Sequence, residues 1–375
     1  MDDFGYSNEV TLTEEEWDRY LSHKRRWCEL QPLLESRGYR LPKEFRPERV
    51  SAWDKRPDGY VDRPHYPHLL EGTRISDNRP VMLKFSRTDL WEAAIFEHLA
   101  SIPDADNHTI PLYDVITPPA DPEAPAQWCV VITPRLTDCR NRHFEKLREF
   151  VDFLSQVLEG VCFMHRYNIA HTDVARTNIV WDDRQSLLDT SDLKGKTKSQ
   201  KRQPARRKYY FIDFGLACSF SSFEERGFVK GICGQHRNIP ELSEEVPYDP
   251  FALDIRQIGE MLKRDYIEAY FGLEFLDPLM VRLRADDPST RPTATEALAD
   301  FQVLVSALPE EKLRAQLIGR GEWPLGRRIV IFLICLWLVG NAVFLWYHWD
   351  RFKVPIMFDE VALRRSLNAT LTENP

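Results

Sequence analysis

The chain has 375 residues, enough for one large domain or two ordinary ones. Charged residues make up 29% and hydrophobic residues 43%, as in a folded protein, and a net charge of −8 argues against nucleic acid as a partner. The seven cysteines (Cys28, Cys129, Cys139, Cys162, Cys218, Cys233 and Cys335) are odd in number and form no C-x-x-C pair, which argues against a disulfide framework or a zinc site and fits reduced, mostly buried thiols facing the cytosol. The opening "MDDFGYSNEV" is acidic and lacks an apolar core, so no secretory signal is expected.

Residues 11–36 predict a helix. Thr13 and Glu16 suit a capping box, and Trp17, Leu21, Trp27, Leu30 and Leu34 fall near one stripe. Pro32 is expected to kink or end it. A Pro- and Arg-rich linker follows over 46–67. "HLLEGTRISDNRPVMLKF" has apolar runs on either side of the turn-rich "SDNRP" and predicts a β-hairpin. "TDLWEAAIFEHLA" predicts a helix, "QWCVVITPRL" a buried strand, and "FEKLREFVDFLSQVLEGVCFMH" a long amphipathic helix. Residues 191–208 hold eight Lys or Arg and one acid, Asp192, and cannot bury a core, so they read as a solvated loop. Residues 241–305 read as mostly helical.

From Ile329 to Tyr347 there is no charge. Those nineteen residues, at about 1.5 Å each, match a bilayer core of roughly 30 Å. Trp346, Tyr347 and Trp349 suit an interface anchor, and Arg327 and Arg328 favour a cytosolic N-terminal side. The expectation is a tail-anchored, single-pass protein with the lipid bilayer as a partner, in the endoplasmic reticulum or another cytosol-facing membrane. The sequon Asn368-Ala369-Thr370 becomes usable only if the tail reaches the lumen.

Transfer of phosphate from a nucleotide needs a Lys on the phosphates, a carboxylate to orient it, metal-binding groups and a carboxylate beside the attacking hydroxyl. Lys84 ends "VMLK" on the second hairpin strand, and Glu92 lies on the helix after it, with Glu97 as the other candidate. Asp173 and Asn178 lie five residues apart in "AHTDVARTNIVWD", just after the long helix. There Asp173 would accept or orient the hydroxyl proton, and Asn178 would ligate Mg2+. Asp213 ends the apolar strand of "YYFIDFGLA" and would bind the same metal, with Gly215 letting the chain turn away.

In this order the motifs "VMLK", "HTDVARTN" and "DFG" resemble the eukaryotic protein kinase superfamily over roughly residues 50–305. "NIPE" (238–241) stands where that family has A-P-E. "DIRQIG" (254–259) resembles its aspartate-led helix, and Arg291 in "DPSTRP" resembles the arginine that pairs with the A-P-E glutamate, here Glu241. The resemblance implies an α+β, two-lobed protein kinase-like fold with a small β-rich lobe, a helical lobe, ATP between them and "ITPRL" as hinge, followed by the C-terminal transmembrane helix. The expected organisation is an N-terminal helical extension over 1–48, the kinase-like domain over 49–307 with a basic insertion at 183–208, a juxtamembrane linker over 308–328, the span over 329–347 and a tail over 348–375.

Several positions depart from the family. No G-x-G-x-x-G precedes Lys84; the region offers Gly59 and Gly72, with His65 and Tyr66 between them. Thr172 replaces the H-R-D arginine, so activity without activation-loop phosphorylation is expected. Ala175 stands where the serine/threonine branch has Lys, and Thr177 where the tyrosine branch has Arg; Arg176 is placed to reach a γ-phosphate instead. "CGQHRN" replaces G-T-x-x-Y. Two functions are carried forward. One is a membrane-anchored kinase using ATP and Mg2+ on a protein Ser/Thr hydroxyl, with Asp173, Lys84 and Glu92 catalytic, Lys84, Asn178 and Asp213 holding the cofactor, and the protein substrate not named by the sequence. The other is a membrane-tethered pseudokinase that acts as a binding scaffold.

Overall fold

The computed structural model describes residues 14–45, 68–119, 127–140, 143–182, 207–222, 224–320, 333–339 and 341–344. The Pro- and Arg-rich linker with Gly59, His65 and Tyr66, the basic loop apart from Arg207 and Lys208, and the sequon at Asn368 lie outside the described residues. The chain divides into two compact units, Met1–Leu317 and Ile318–Pro375.

The first unit begins with helix α1 (Glu14–Ser36), which runs through Pro32 without ending there. A proline at this point removes one backbone donor, and packing on both sides of it compensates. Trp27 lies against Phe85 with ring centroids 4.0 Å apart, Leu34 is fully buried, and Gln31 Oε1 accepts the Leu41 N–H at 3.1 Å. The chain then adds strand β1 (Tyr39–Arg40) to the sheet. The expected hairpin is formed by β2 (Leu69–Arg74) and β3 (Arg79–Arg87). Asn78 takes the left-handed turn conformation (φ 55°), and the Asp77 carboxylate accepts from Arg79 N and from Arg74 at 2.6 Å.

Helix α2 (Glu92–Ala100), strand β4 (Asp114–Ile116) and strand β5 (Trp128–Pro134) follow. They complete an antiparallel sheet of order β1-β2-β3-β5-β4. Period-two alternation divides its faces. Val81, Leu83 and Phe85 of β3, with Val130 and Ile132 of β5, bury against Trp27, Leu34 and Phe45 from the N-terminal segment. Lys84 and Ser86 point the other way, the side on which Ile95, Phe96 and Leu99 of α2 pack with Cys129 and Val131. The N-terminal segment thus covers the face of the sheet opposite Lys84.

After β6 (Thr137–Asp138), helix α3 (Leu147–Arg166) runs through the larger core with Phe150, Phe153, Leu154, Val157, Val161 and Phe163 buried. It leads to the short strands β7 (Ile169–Ala170) and β8 (Ile179–Trp181), between which the loop 171–178 turns. Strand β9 (Tyr209–Phe211) pairs with β8, and β10 (Cys218–Ser219) pairs with β7. Residues 241–305 do not begin as a helix: β11 (Val229–Gly231) and β12 (Ser243–Tyr248) form a ribbon, and Pro247 within β12 denies a helix its backbone donor. Helices α4 (Pro250–Leu262), α5 (Asp277–Leu283) and α6 (Ala294–Ser306) follow. Asp249 caps α4 through Phe251 N at 2.9 Å, and Thr293 with Glu296 forms a capping box on α6.

In the second unit, residues 333–339 and 341–344 are helical, and the rest of the expected span 329–347 lies outside the described residues. Among the described residues no helix is long and apolar enough to cross a membrane. The transmembrane part of the expected fold class and the single-pass, tail-anchored localisation are therefore corrected on that finding.

Candidate functional site

Lys84 reaches inward from the middle of the sheet through the alternation of β3. Its Nζ lies 2.5 Å from Glu92 Oε1 and 2.8 Å from Asp213 Oδ1. Glu92, in the first turn of α2, is 5% exposed, and its other oxygen accepts from Ser86 Oγ at 2.9 Å; Glu97, the other candidate, is exposed. Burial alone would lower the Lys84 pKa, but Glu92 and then Asp213 outweigh it and hold the ammonium above the usual lysine value. Burial would likewise raise the Asp213 carboxyl, and Lys84 overrides it, holding that group below the usual carboxylate value. Each of Lys84 and Asp213 thus favours the charged form of the other.

Asp213 stands in the left-handed region (φ 65°), with Gly215 N 3.4 Å from its Oδ1. The Phe214 ring that follows packs edge-on to Phe96 of α2 (4.7 Å) and on His171 (5.0 Å), tying this turn to both α2 and the loop 171–178.

The loop is fixed from below. Asp254, fully buried on α4, accepts the N–H groups of His171 (2.8 Å) and Thr172 (2.7 Å) and lies 2.9 Å from His165 Nε2. Gln257, one turn on, donates to Thr172 O and accepts from Val174 N, both at 2.8 Å. These bonds hold Thr172 at φ 57°, an unfavourable conformation for a β-branched residue, and its hydroxyl donates to Leu216 O at 2.6 Å. The next side chain is Asp173, 8% exposed. Asn178 Nδ2 donates to its Oδ2 at 2.9 Å and Gln235 N to its Oδ1 at 2.8 Å. Asn178 O also accepts from Ile212 N at 3.0 Å, which brings this loop beside the Asp213 turn. Arg176 is half-buried, and its side chain makes no hydrogen bond or ion pair among the described residues.

A cleft of about 150 Å³ opens at Lys84 and Asp213. Leu69, Met82, Val131, Val180 and Ile212 give it apolar walls, and 133–136, from the expected hinge, form one side. Asp213 is 49% exposed there. Among the described residues, Asn178 Oδ1 and Asp213 Oδ2 accept no hydrogen bond, whereas Asp213 Oδ1 is taken by Lys84. Mg2+ uses one or two protein oxygens together with phosphate and water, so this donor pair fits it. No cluster of three or more His, Cys, Asp or Glu able to hold a metal by itself occurs among the described residues. Farther off, Arg291 and Glu241 form a buried bidentate pair, with Nη2 3.0 Å from Oε2.

The structure thus brings Lys84, Glu92 and Asp213 together, and Asp173 together with Asn178. Sequence reading missed Ser86, Gln257 and Gln235. Gln235 had a signal, in the departure of "CGQHRN" from the family pattern. Ser86 and Gln257 had none, because both act through side-chain bonds between separate elements. A scan of the sequence against protein-family models finds no match.

Proposed function

We propose that this chain is an ATP-dependent phosphotransferase of the protein kinase type, acting on a protein Ser/Thr hydroxyl. The observation that carries the reading is one cation, Lys84, bridging Glu92 and Asp213 at the end of an apolar cleft, beside the buried pair Asp173 and Asn178. Glu92, held by Ser86, keeps the Lys84 ammonium charged and aimed at the phosphates. Asn178 and Asp213 would hold the metal. Asp173 orients the acceptor hydroxyl and takes its proton. Arg176, without an acceptor of its own among the described residues, is the cation available to the transferring group. ATP with Mg2+ supplies the phosphoryl group and the charge that neutralises it in transfer. Catalysis by the chain is then positioning and electrostatic stabilisation.

A second reading, a binding scaffold of pseudokinase type, is favoured by one observation: both Asp173 oxygens already accept from the protein. The test is a thermal-shift titration with ATP and Mg2+, followed by a phosphate-transfer assay on a panel of Ser/Thr peptides. Stabilisation together with transfer is expected, because a ligand that binds only the native state stabilises it. Stabilisation without transfer, or no stabilisation at all, would leave the scaffold and overturn the phosphotransfer reading.

A further inference from the structure

We infer that Gln235 is a positioning residue for Asp173, delivering a main-chain N–H to the carboxylate through a neutral clamp that includes Thr177 and Gly234; the inference rests on the phosphotransfer reading for its consequence but not for its geometry. The clamp is a closed ring of hydrogen bonds. Asn178 Nδ2 donates to Asp173 Oδ2 at 2.9 Å. The neighbouring Thr177 hydroxyl donates to Gln235 Oε1, and Gln235 N donates back to Asp173 Oδ1 at 2.8 Å. Two donors on opposite oxygens stop the carboxylate from rotating. A carboxylate has about four lone-pair sites, so two remain for an acceptor hydroxyl.

The turn that supplies this N–H is built for close approach. Gly234 lies at φ +82°, and a Cβ there would stand 2.7 Å from Asp173 Oδ1. Only glycine satisfies both the dihedral and the space. The turn is held from outside the site as well. Tyr248 donates its hydroxyl to Gly231 O at 2.8 Å, Ile239 and Leu242 bury with Leu253, and Glu241 pairs with Arg291. His236, which follows Gln235, is 7% exposed, and its Nε2 has no hydrogen-bond partner among the described residues. A turn that keeps an unsatisfied buried nitrogen beside a left-handed glycine is over-determined by its surroundings, as strained functional segments are. No cation contacts the Asp173 carboxylate among the described residues, in keeping with the neutral Ala175 and Thr177 that stand where the resembled branches carry Lys or Arg.

The experiment uses the full chain labelled with 15N-glutamine. The Gln235 amide resonance is expected to lie downfield in the unaltered protein, as an N–H that donates to a carboxylate does, and to move upfield in Asp173→Asn. In transfer assays, Thr177→Val and Gln235→Ala should each lower kcat about tenfold, the scale of one neutral hydrogen bond, with KM for ATP unchanged. Thr177→Ser should restore the rate, and the double variant should be no slower than either single one, because both remove the same bond. Gly234→Ala should lower kcat about a hundredfold, as a misplaced base does. An amide blind to Asp173, or Thr177→Val and Gln235→Ala variants with unchanged kcat, would overturn the inference. An amide that tracks Asp173 in a chain without transfer activity would uphold the clamp and remove the phosphotransfer reading, so the two can fail separately.

Discussion

Lys84, Glu92 and Asp213 make one half of the cleft's inner end, and Asp173, Asn178 and Gln235 the other. In the first half two carboxylates share one ammonium at 2.5 and 2.8 Å. In the second a buried carboxylate is held by an amide and a backbone N–H at 2.9 and 2.8 Å. The ionic half is coupled through charge, so removing Lys84 leaves two carboxylates with no cation between them. The neutral half is coupled through geometry. It tolerates changes in ionic strength and is sensitive to any side chain that shifts the turn. The difference separates two tasks, holding an anionic ligand and orienting a hydroxyl, and each can be lost without the other.

The largest expected effect divides the halves cleanly. Asp173→Ala should lower phosphate transfer about a thousandfold, the scale of general-base catalysis, while the ATP-induced rise in Tm persists. Full transfer by this variant would remove Asp173 from the mechanism. Next, Lys84→Met and Asp213→Ala should each abolish the thermal shift and lower transfer at least a hundredfold, the scale of a lost electrostatic contact. A shift that survives in both variants would show that the ionic half binds no nucleotide.

A smaller effect probes the ionic half without touching it. Gly160 on α3 lies under β9, where a Cβ would stand 2.7 Å from Phe211 Cε2 and 2.9 Å from His108 Cβ. Gly160→Ala should destabilise the fold by about 1–3 kcal/mol in urea unfolding through overpacking. It should also weaken the ATP shift, since Asp213 is two residues beyond Phe211. An unchanged urea midpoint would mean that the helix and strand have slack here.

The smallest effect is on pH. Burial and then Arg264 hold the His236 pKa below its ordinary 6.5, against Asp265, Asp173 and Glu260, which pull it up. The unfolded chain therefore binds this proton more readily than the folded one. His236's contribution to stability is complete above pH 6.5 and is lost as pH falls through 6.5 toward the folded-state value. Asp213 has the same sign in a lower window: its contribution is present above the ordinary 3.8 and is lost as pH falls through its lower folded-state value. Unfolding curves measured between pH 7 and 5 should lose this slope in His236→Gln. The same slope in that variant would assign it to another group.

Much of the frame is legible along the chain, because it depends on periodicity and local chemistry. The alternation in "VMLKF" assigns Lys84 to the face opposite Val81, Leu83 and Phe85. "SDNRP" marks the hairpin turn, and the apolar spacing of residues 147–164 marks α3. Other features escaped because local rules were overridden. Pro32 was expected to kink or end α1, yet packing by Trp27 and Leu34 carries the helix to Ser36. Residues 241–305, read as mostly helical, open with the strand Ser243–Tyr248, because β11 offers it a ladder. The apolar run 329–347 is visible in composition, yet no helix among the described residues is long and apolar enough to cross a membrane.

The sequence by itself determined which chemical groups exist and their order: a strand lysine, a helix carboxylate, an Asp and an Asn five apart, and an Asp before a glycine. It favoured Glu92 over Glu97 by spacing to the apolar helix positions, and the direction in which α2 faces β3 places Glu92 on Lys84. Only the tertiary structure could decide that Ser86 holds Glu92, that Asp254 and Gln257 on α4 strain Thr172 into place, and that Gln235 returns across 62 residues to Asp173. The physical reason is that a residue's type and its neighbours in sequence set what it can bond, whereas its partner in a long-range bond is chosen by the packing of whole elements. A Gln that reads as an ordinary polar loop residue becomes part of a site only when a left-handed glycine turns its N–H onto a carboxylate.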